Sequence, residues 1–171
     1  IAAMDNPEVQ VEDSLQSLED LAGDFLKTLP EEVSESDKLA AFHRYLFDEQ
    51  GFHGSRANYY SPSNSYLNET IDDREGLPIT LSIVYMTIAR RVGIKAEGVG
   101  LPGHFVVRVL TSGGGAQLID PFDRGRILFN DEARKLVEES GRQWDESDLQ
   151  AQTARQILTR MLRNLLNLAN E

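Results

Sequence analysis

At 171 residues, with 40% apolar and 26% charged side chains, the sequence has the make-up of a globular protein able to bury about two-thirds of its unfolded surface in one core. It contains no cysteine, which excludes disulfides, thiolate metal sites and a cysteine nucleophile, and no apolar run approaches the length of a bilayer. The net charge of −11 sits at the front, where residues 1–49 carry 13 acidic and 3 basic side chains, and this excludes phosphate-backbone binding through that part.

No signal-peptide pattern opens the chain, so a cytoplasmic protein with no membrane partner is expected. A chain that begins at Ile1 reads as part of a longer protein. The acidic front reads chiefly as a solvated helical surface that keeps the protein soluble.

Residues 1–10 are expected to fray. A first helix is expected at about 13–28, where Leu15, Leu18, Ala22, Phe25, Leu26 and Leu29 form an apolar stripe and Pro30 forbids continuation. A second is expected at about 36–49, with Ser34 and Asp37 resembling a capping box and Leu39, Phe42 and Leu46 facing inward. His43 lies beside that face and reads as a hydrogen-bonded, partly buried side chain, since no second ligand stands four residues on.

From Gly51 to Asp73 the period is lost to glycine, serine, asparagine and proline, which predicts an ordered loop or short helical turns. Phe52, Tyr59, Tyr60 and Tyr66 imply that it is packed down, and a loop of this length within a compact domain is more often functional than idle. The stretch 74–120 organises the rest. Pro78 opens a helix, Leu81, Val84, Tyr85, Ile88, Ala89 and Val92 share one face, and Gly93 ends it at the left-handed position.

Strands follow at 96–101 and 104–110, separated by a turn at Pro102–Gly103. A hairpin loop at 112–115 leads to a strand over 116–120. Antiparallel pairing about that loop places His104 within two or so residues of register with Asp120. Phe105, Val107 and Val109 share one face of the strand, while His104, Val106 and Arg108 share the other. Beyond lie a short strand at 126–129, a polar helix from Asn130 or Asp131 to Ser140 capped by Asn130, and Trp144 in a charged linker. The last helix, about 149–169, has an apolar arc too wide for a terminal surface helix, so it is either buried on two sides or awaits further chain.

A helix start, a strand histidine and a strand-end aspartate are the frame of a thiol acyl-transfer site. There a helix N-terminus stabilises a thiolate, a histidine carries the proton and a carboxylate fixes its tautomer. His104 and Asp120 fit the second and third roles. The nucleophile's address is occupied by Leu77, Pro78 and Ile79, and the nearest hydroxyls are Thr80 and Ser82. A structural histidine–carboxylate bond competes evenly with a binding role for His104, and a turn-capping role competes for Asp120, whose backbone Pro121 holds extended. A metal held by His53, His104 and Asp120 has no spacing signal behind it, so no metal and no cofactor is expected. GVGLPG is no dinucleotide fingerprint, because a strand rather than a helix follows it.

YYSPSNSYLNETIDDREGLPITLSIVYMTIARRVGIKAEGVGLPGHFVVRV, followed by IDPF, resembles the SirB family of transglutaminase-like proteins. The motifs N-S-Y-L-N, R-x-G-x-P-I-T-L, V-G-x-P-G-H-F and I-D-P-F match in order, most strongly over residues 50–126. ILTRMLRNLLNLA at 157–169 is similar to the family's link into tetratricopeptide-like repeats. The resemblance implies an α+β fold with a transglutaminase and papain-like core, a helix on a small antiparallel sheet. One domain over 1–171 would comprise an acidic helical part (1–49), the core (50–129) and C-terminal helices (130–171). It also implies that Pro78 replaces the cysteine of the enzymes' R-x-G-x-C motif, as in many members, while His104 and Asp120 stand for their histidine and aspartate.

Three functions are therefore weighed. The leading expectation is a non-catalytic module binding an unidentified protein or peptide in a cleft between helix 78–92 and the His104 strand. Asn64, Tyr66, Asn68, Arg74 and Pro78 would line or brace its rim. The rival is a hydrolase or acyl transferase using Ser82 or Thr80 with His104 and Asp120. The third is a structural platform for further helical repeats.

Overall fold

A computed structural model describes residues 1–169. The chain begins with helices α1 (Ala2–Asp5), α2 (Val11–Thr28) and α3 (Glu35–His43), and α4 (Leu67–Asp73) follows the stretch 51–66. Strands β1 (His53–Gly54) and β2 (Glu75–Gly76) pair in parallel on either side of α4. Helix α5 (Pro78–Arg91) leads into β3 (Lys95–Leu101), β4 (His104–Leu110), β5 (Ala116–Asp120) and β6 (Arg126–Leu128), which form one antiparallel sheet in that order. Helices α6 (Asn130–Glu139) and α7 (Ala154–Ala169) close the chain.

The apolar spacing of α5 explains its central place. Leu81, Val84, Tyr85, Ile88 and Ala89 are buried against Val107, Val109 and Ile119 of the sheet and against Leu18, Ala22, Phe25 and Phe42 of the acidic helices. Burial of this stripe, at about 25 cal/mol per Å² of apolar surface, is the main force joining the N-terminal helices to the sheet. The opposite sheet face carries Val99, Val106, Leu118 and Leu128, covered by Ala133 and Val137 of α6. Alternate residues of β4 thus enter different cores, as a period of two requires.

The α+β class, the long helix ended by Gly93 at φ +76° and the hairpin strands match the expectations. Ser34 caps α3 through the Asp37 amide at 3.0 Å. Other expectations need correction. Residues 1–10 begin with α1, and Ile1 packs beside a buried cluster of Leu77, Ile79, Phe105 and Met161. In α2, Leu21 is buried while Leu15 and Leu26 stay about half exposed, because the helix packs through a narrower stripe.

The helix expected over 36–49 is α-helical only to His43 and π-helical from Arg44 to Glu49, a widening that seats Tyr45, Leu46 and Phe47 together in the core. Asn130 lies inside α6. Its first turn is closed instead by the Glu132 carboxylate, which accepts from the Phe129 amide at 2.9 Å. Residues 146–149 form a 3₁₀ turn, so α7 starts at Ala154 and not near 149. Trp144 lies beneath the Arg134 guanidinium and packs on the second core.

Candidate functional site

Register builds the site. Val107 pairs with Ile119 and Arg108 with Leu118, so continuing the ladder sets His104 two residues from a position opposite Asp120, on the same face. The diagonal is closed by a 2.7 Å bond between His104 Nε2 and Asp120 Oδ2. Asp120 also serves the turn it was expected to cap: its Oδ1 accepts from the amides of Phe122 at 3.0 Å and Asp123 at 3.3 Å. Both carboxylate oxygens are therefore committed. A carboxylate only accepts, so in the neutral ring Nε2 carries the proton and Nδ1 holds the lone pair. Among the described residues nothing bonds to Nδ1, and the His104 side chain is 19% exposed against 6% for Asp120. The imidazole is fixed at one end and open at the other.

The start of α5 reaches the strand end that carries His104 through Ser82. The Ser82 hydroxyl donates to the Pro78 carbonyl at 2.7 Å and approaches the Phe105 carbonyl at 3.4 Å, so it joins the first helical residue to the neighbour of His104. The Thr80 hydroxyl accepts from the Leu77 amide at 3.0 Å and lies 2.9 Å from the Asn64 carbonyl and 3.1 Å from that of Leu77. Both side chains are fully buried, and neither hydroxyl is paired with His104. Ser82 and Thr80 close backbone groups at the helix start, and an alcohol spent on a carbonyl has no base to activate it.

The expected rim residues divide. Asn64 Nδ2 donates to the Asn58 carbonyl at 2.6 Å while its own carbonyl faces Thr80, so Asn64 pins the 58–65 loop to α5. Arg74 takes the left-handed conformation (φ +60°), lays its guanidinium over Phe52 at 4.8 Å and offers its carbonyl to the His53 amide at 2.9 Å. That is a brace at the neck of the loop. Tyr66 and Asn68 instead border a separate groove on the outer side of α5. His53 turns its ring to the Arg74 carbonyl at 3.1 Å, and among the described residues no group of three His, Cys, Asp or Glu side chains is arranged to hold a metal.

Five contributors were not among the expected site residues. Phe122 stands edge-on to His104 with ring centres 6.2 Å apart, Tyr59 stands edge-on to Phe122 at 6.0 Å, and Arg56 lies over Phe122 while pairing with Asp123 at 2.7 Å. Tyr60 extends this aromatic edge and is 68% exposed. From α7, Arg160 Nη2 donates to the carbonyls of Leu101 and His104, each at 2.6 Å, across the β3–β4 turn. Its guanidinium lies over Phe105 at 5.5 Å, and burial draws its pKa below the usual arginine value. The glycines of G-V-G make room for this packing. A Cβ at Gly98 would stand 2.7 Å from the Phe105 ring, and one at Gly100 would stand 3.0 Å from Arg160 Nη1.

The sequence profile of the transglutaminase-like superfamily matches residues 12–163. The chain is similar to a UPF0162 protein of Xylella fastidiosa strain 9a5c, 41% identical over 149 residues that make up 83% of this chain and 53% of that protein. It is similar to a UPF0162 protein of Pseudomonas aeruginosa at 32% over 173 residues, covering 98% of this chain and 62% of the relative. Human F-box only protein 21 is 33% identical over 141 residues, 78% of this chain and 22% of that protein. The chain thus spans about half the length of the Xylella relative. No solved structure matches. Among the described residues no helix is long and apolar enough to cross a membrane.

Proposed function

Because this chain belongs to the transglutaminase-like superfamily, while by resemblance Pro78 stands where its enzymes carry a thiol, we propose that it is a non-catalytic member that binds a protein or peptide segment at the His104 face. One observation carries this reading: the His104–Asp120 pair is built, while the Thr80 and Ser82 hydroxyls of α5 are buried and bonded to the backbone. A base with no nucleophile has no proton to take. What remains is an acceptor, Nδ1, on a fixed ring edged by Phe122, from which Tyr59 and the exposed Tyr60 continue an aromatic edge. An extended peptide meets such a site by donating a backbone N–H to Nδ1 and laying an apolar side chain on the aromatic rings.

The test is selection from a displayed random peptide library on the wild-type chain, with His104→Ala and Tyr60→Ala as counter-screens. Enriched peptides should bind wild type and lose at least about tenfold affinity on either variant, which corresponds to about 1.4 kcal/mol. A panel of ester and peptide substrates should stay at background. Turnover that disappears in His104→Ala would overturn the proposal and restore the rival, a hydrolase or acyl transferase with a Ser or Thr nucleophile.

A second reading concerns α7. Leu158, Leu162 and Leu166 stand exposed at intervals of four along one face. That face supports a link into the tetratricopeptide-like repeats of SirB-type proteins. Appending the next segment of a UPF0162 relative should protect the α7 amides from hydrogen exchange, and unchanged exchange would refute the link.

A further inference from the structure

A second concavity has no His104 in its lining. It is a groove of about 1080 Å³ along the outer side of α5, walled by α2, α4 and α7. Ile83, Met86, Ile157 and Leu158 form much of its floor and sides, and α1 borders it through Ala2 and Ala3. A mainly apolar concavity with a few polar groups is the usual form of a small-molecule site, and this volume lies at the upper end of that range of ~300–1000 Å³.

Its polar groups lie toward the two ends of α5. At the end near Leu67, which packs beside Leu77 and Ile79, the groove is bordered by Ser65 and Asn68. Ser65 is 2% exposed, and its hydroxyl, like Asn68 Oδ1, is buried without a hydrogen-bond partner among the described residues. Native proteins rarely leave such atoms unpaired. The other end carries four charged residues, Arg90, Arg91, Lys95 and Glu97. Arg91 is taken by Glu19 at 2.6 Å, and Glu97 is taken by Arg108 at 2.6 Å. Glu35, whose charge interacts with Lys95, spends its carboxylate on the Ser112 amide and hydroxyl. Arg90 and Lys95 are exposed and form no ion pair among the described residues. In a chain of net charge −11, this end of the groove is left with two free cations.

We propose that the groove binds an anionic amphiphile, a free carboxylic acid with an extended alkyl body. The carboxylate meets Arg90 and Lys95, and the chain lies along Ile83 and Met86 toward Ser65 and Asn68. From the level of Ile79 to that of Arg90 the axis of α5 advances by about 16 Å, close to the length of a chain of about a dozen carbons. This site is separate from the His104 face and stands or falls without it.

The experiment is fluorescence titration of the full chain with 11-(dansylamino)undecanoic acid, followed by displacement with dodecanoate and with dodecylamine below their aggregation limits. Saturable one-to-one binding is expected, with displacement by dodecanoate and not by dodecylamine. Met86→Glu should weaken binding at least about tenfold by putting a charge in the apolar floor. The exposed double variant Arg90→Glu/Lys95→Glu is safer for folding, and it should weaken binding comparably and reverse the carboxylate-over-ammonium preference. Lack of saturation at about 100 μM probe, a weak affinity even for small ligands, would overturn the site. So would equal displacement by the amine, or a charge-reversed chain with native circular dichroism and unaltered binding. Sedimentation showing a dimer that Met86→Glu dissociates would give the groove to a second copy, and retention on neutral vesicles in place of the soluble probe would give it to a membrane surface. Either result also overturns the proposal.

Discussion

Replacing Pro78 by cysteine tests whether the helix start and the imidazole still form a thiol-activating frame. The chain has no native cysteine, so the variant carries a single thiol that can be titrated without background. The Pro78 and Phe105 carbonyls both approach the Ser82 hydroxyl, at 2.7 and 3.4 Å, and so stand within about 6 Å of each other, which brings residue 78 beside the strand end bearing His104. A helix N-terminus favours an anion by ~0.3–1 kcal/mol, and by up to ~2 kcal/mol when partly buried. At 1.36 kcal/mol per pKa unit this lowers a thiol from ~8.5 by about one unit. An adjacent imidazolium lowers it further, and activated cysteines fall in the range ~3.5–7.5.

The variant thiol should therefore titrate below ~7, and His104→Ala in the same background should return it to about 7.5–8. The assay is the initial rate of iodoacetamide alkylation between about pH 4 and 10. Loss of proline from the first helical turn costs about 0.5–1 kcal/mol, which folding should tolerate. Titration near 8.5 with or without His104 would refute the reasoning, because the dyad would then not face the helix start.

Other outcomes follow from packing and charge. A Cβ added at Gly125, where φ is +74°, would lie 2.2 Å from the Phe47 ring, so Gly125→Ala should lose about 2–4 kcal/mol in urea unfolding. His43 is held by the Tyr85 hydroxyl at 2.8 Å, and burial lowers its pKa to about 4. The unfolded chain takes up that proton near pH 6.5 and the folded chain does not, so stability present above pH 6.5 is lost as pH falls toward 4. The loss is at most about 3 kcal/mol, and His43→Gln should flatten the dependence of the urea midpoint over that window. Arg160→Ala should cost about 2–4 kcal/mol by stranding the Leu101 and His104 carbonyls, and it should speed amide exchange in the β3–β4 turn while α6 stays protected.

Much of this was legible because it is local. Pro78 and Gly93 punctuate α5, and the short 112–115 loop fixes the register that brings His104 to Asp120. The resemblance to transglutaminase-like proteins rested on those same residues. What was not legible depends on distance or on choices made by packing. Nothing in the spacing of Tyr45, Leu46 and Phe47 distinguishes a π-helical from an α-helical turn, since the choice is made by the core they enter. Leu15 fits the stripe of α2 by period, yet it borders a groove. Thr80 and Ser82 were visible as hydroxyls, but their occupation was not. Thr80 sits three residues after the residue preceding Pro78, where a side chain reaches back to close a helix, and that offers the best clue to its role. Arg160 lies 56 residues from the carbonyl of His104 that it holds, beyond the reach of any local pattern.

The two-residue pairing of β1 with β2 has a consequence for how such a chain diversifies. His53 and Ser55 donate to the Arg74 and Gly76 carbonyls at 2.9 and 3.1 Å, and Asn64 ties the far side to Thr80, so the excursion carrying Arg56, Tyr59 and Tyr60 leaves and rejoins the body between two fixed points. Lengthening a flexible loop adds only about 0.6 kcal/mol per doubling once its ends are fixed. Recognition surface can thus be rewritten between those points while the imidazole and carboxylate, anchored on the sheet, keep their separation.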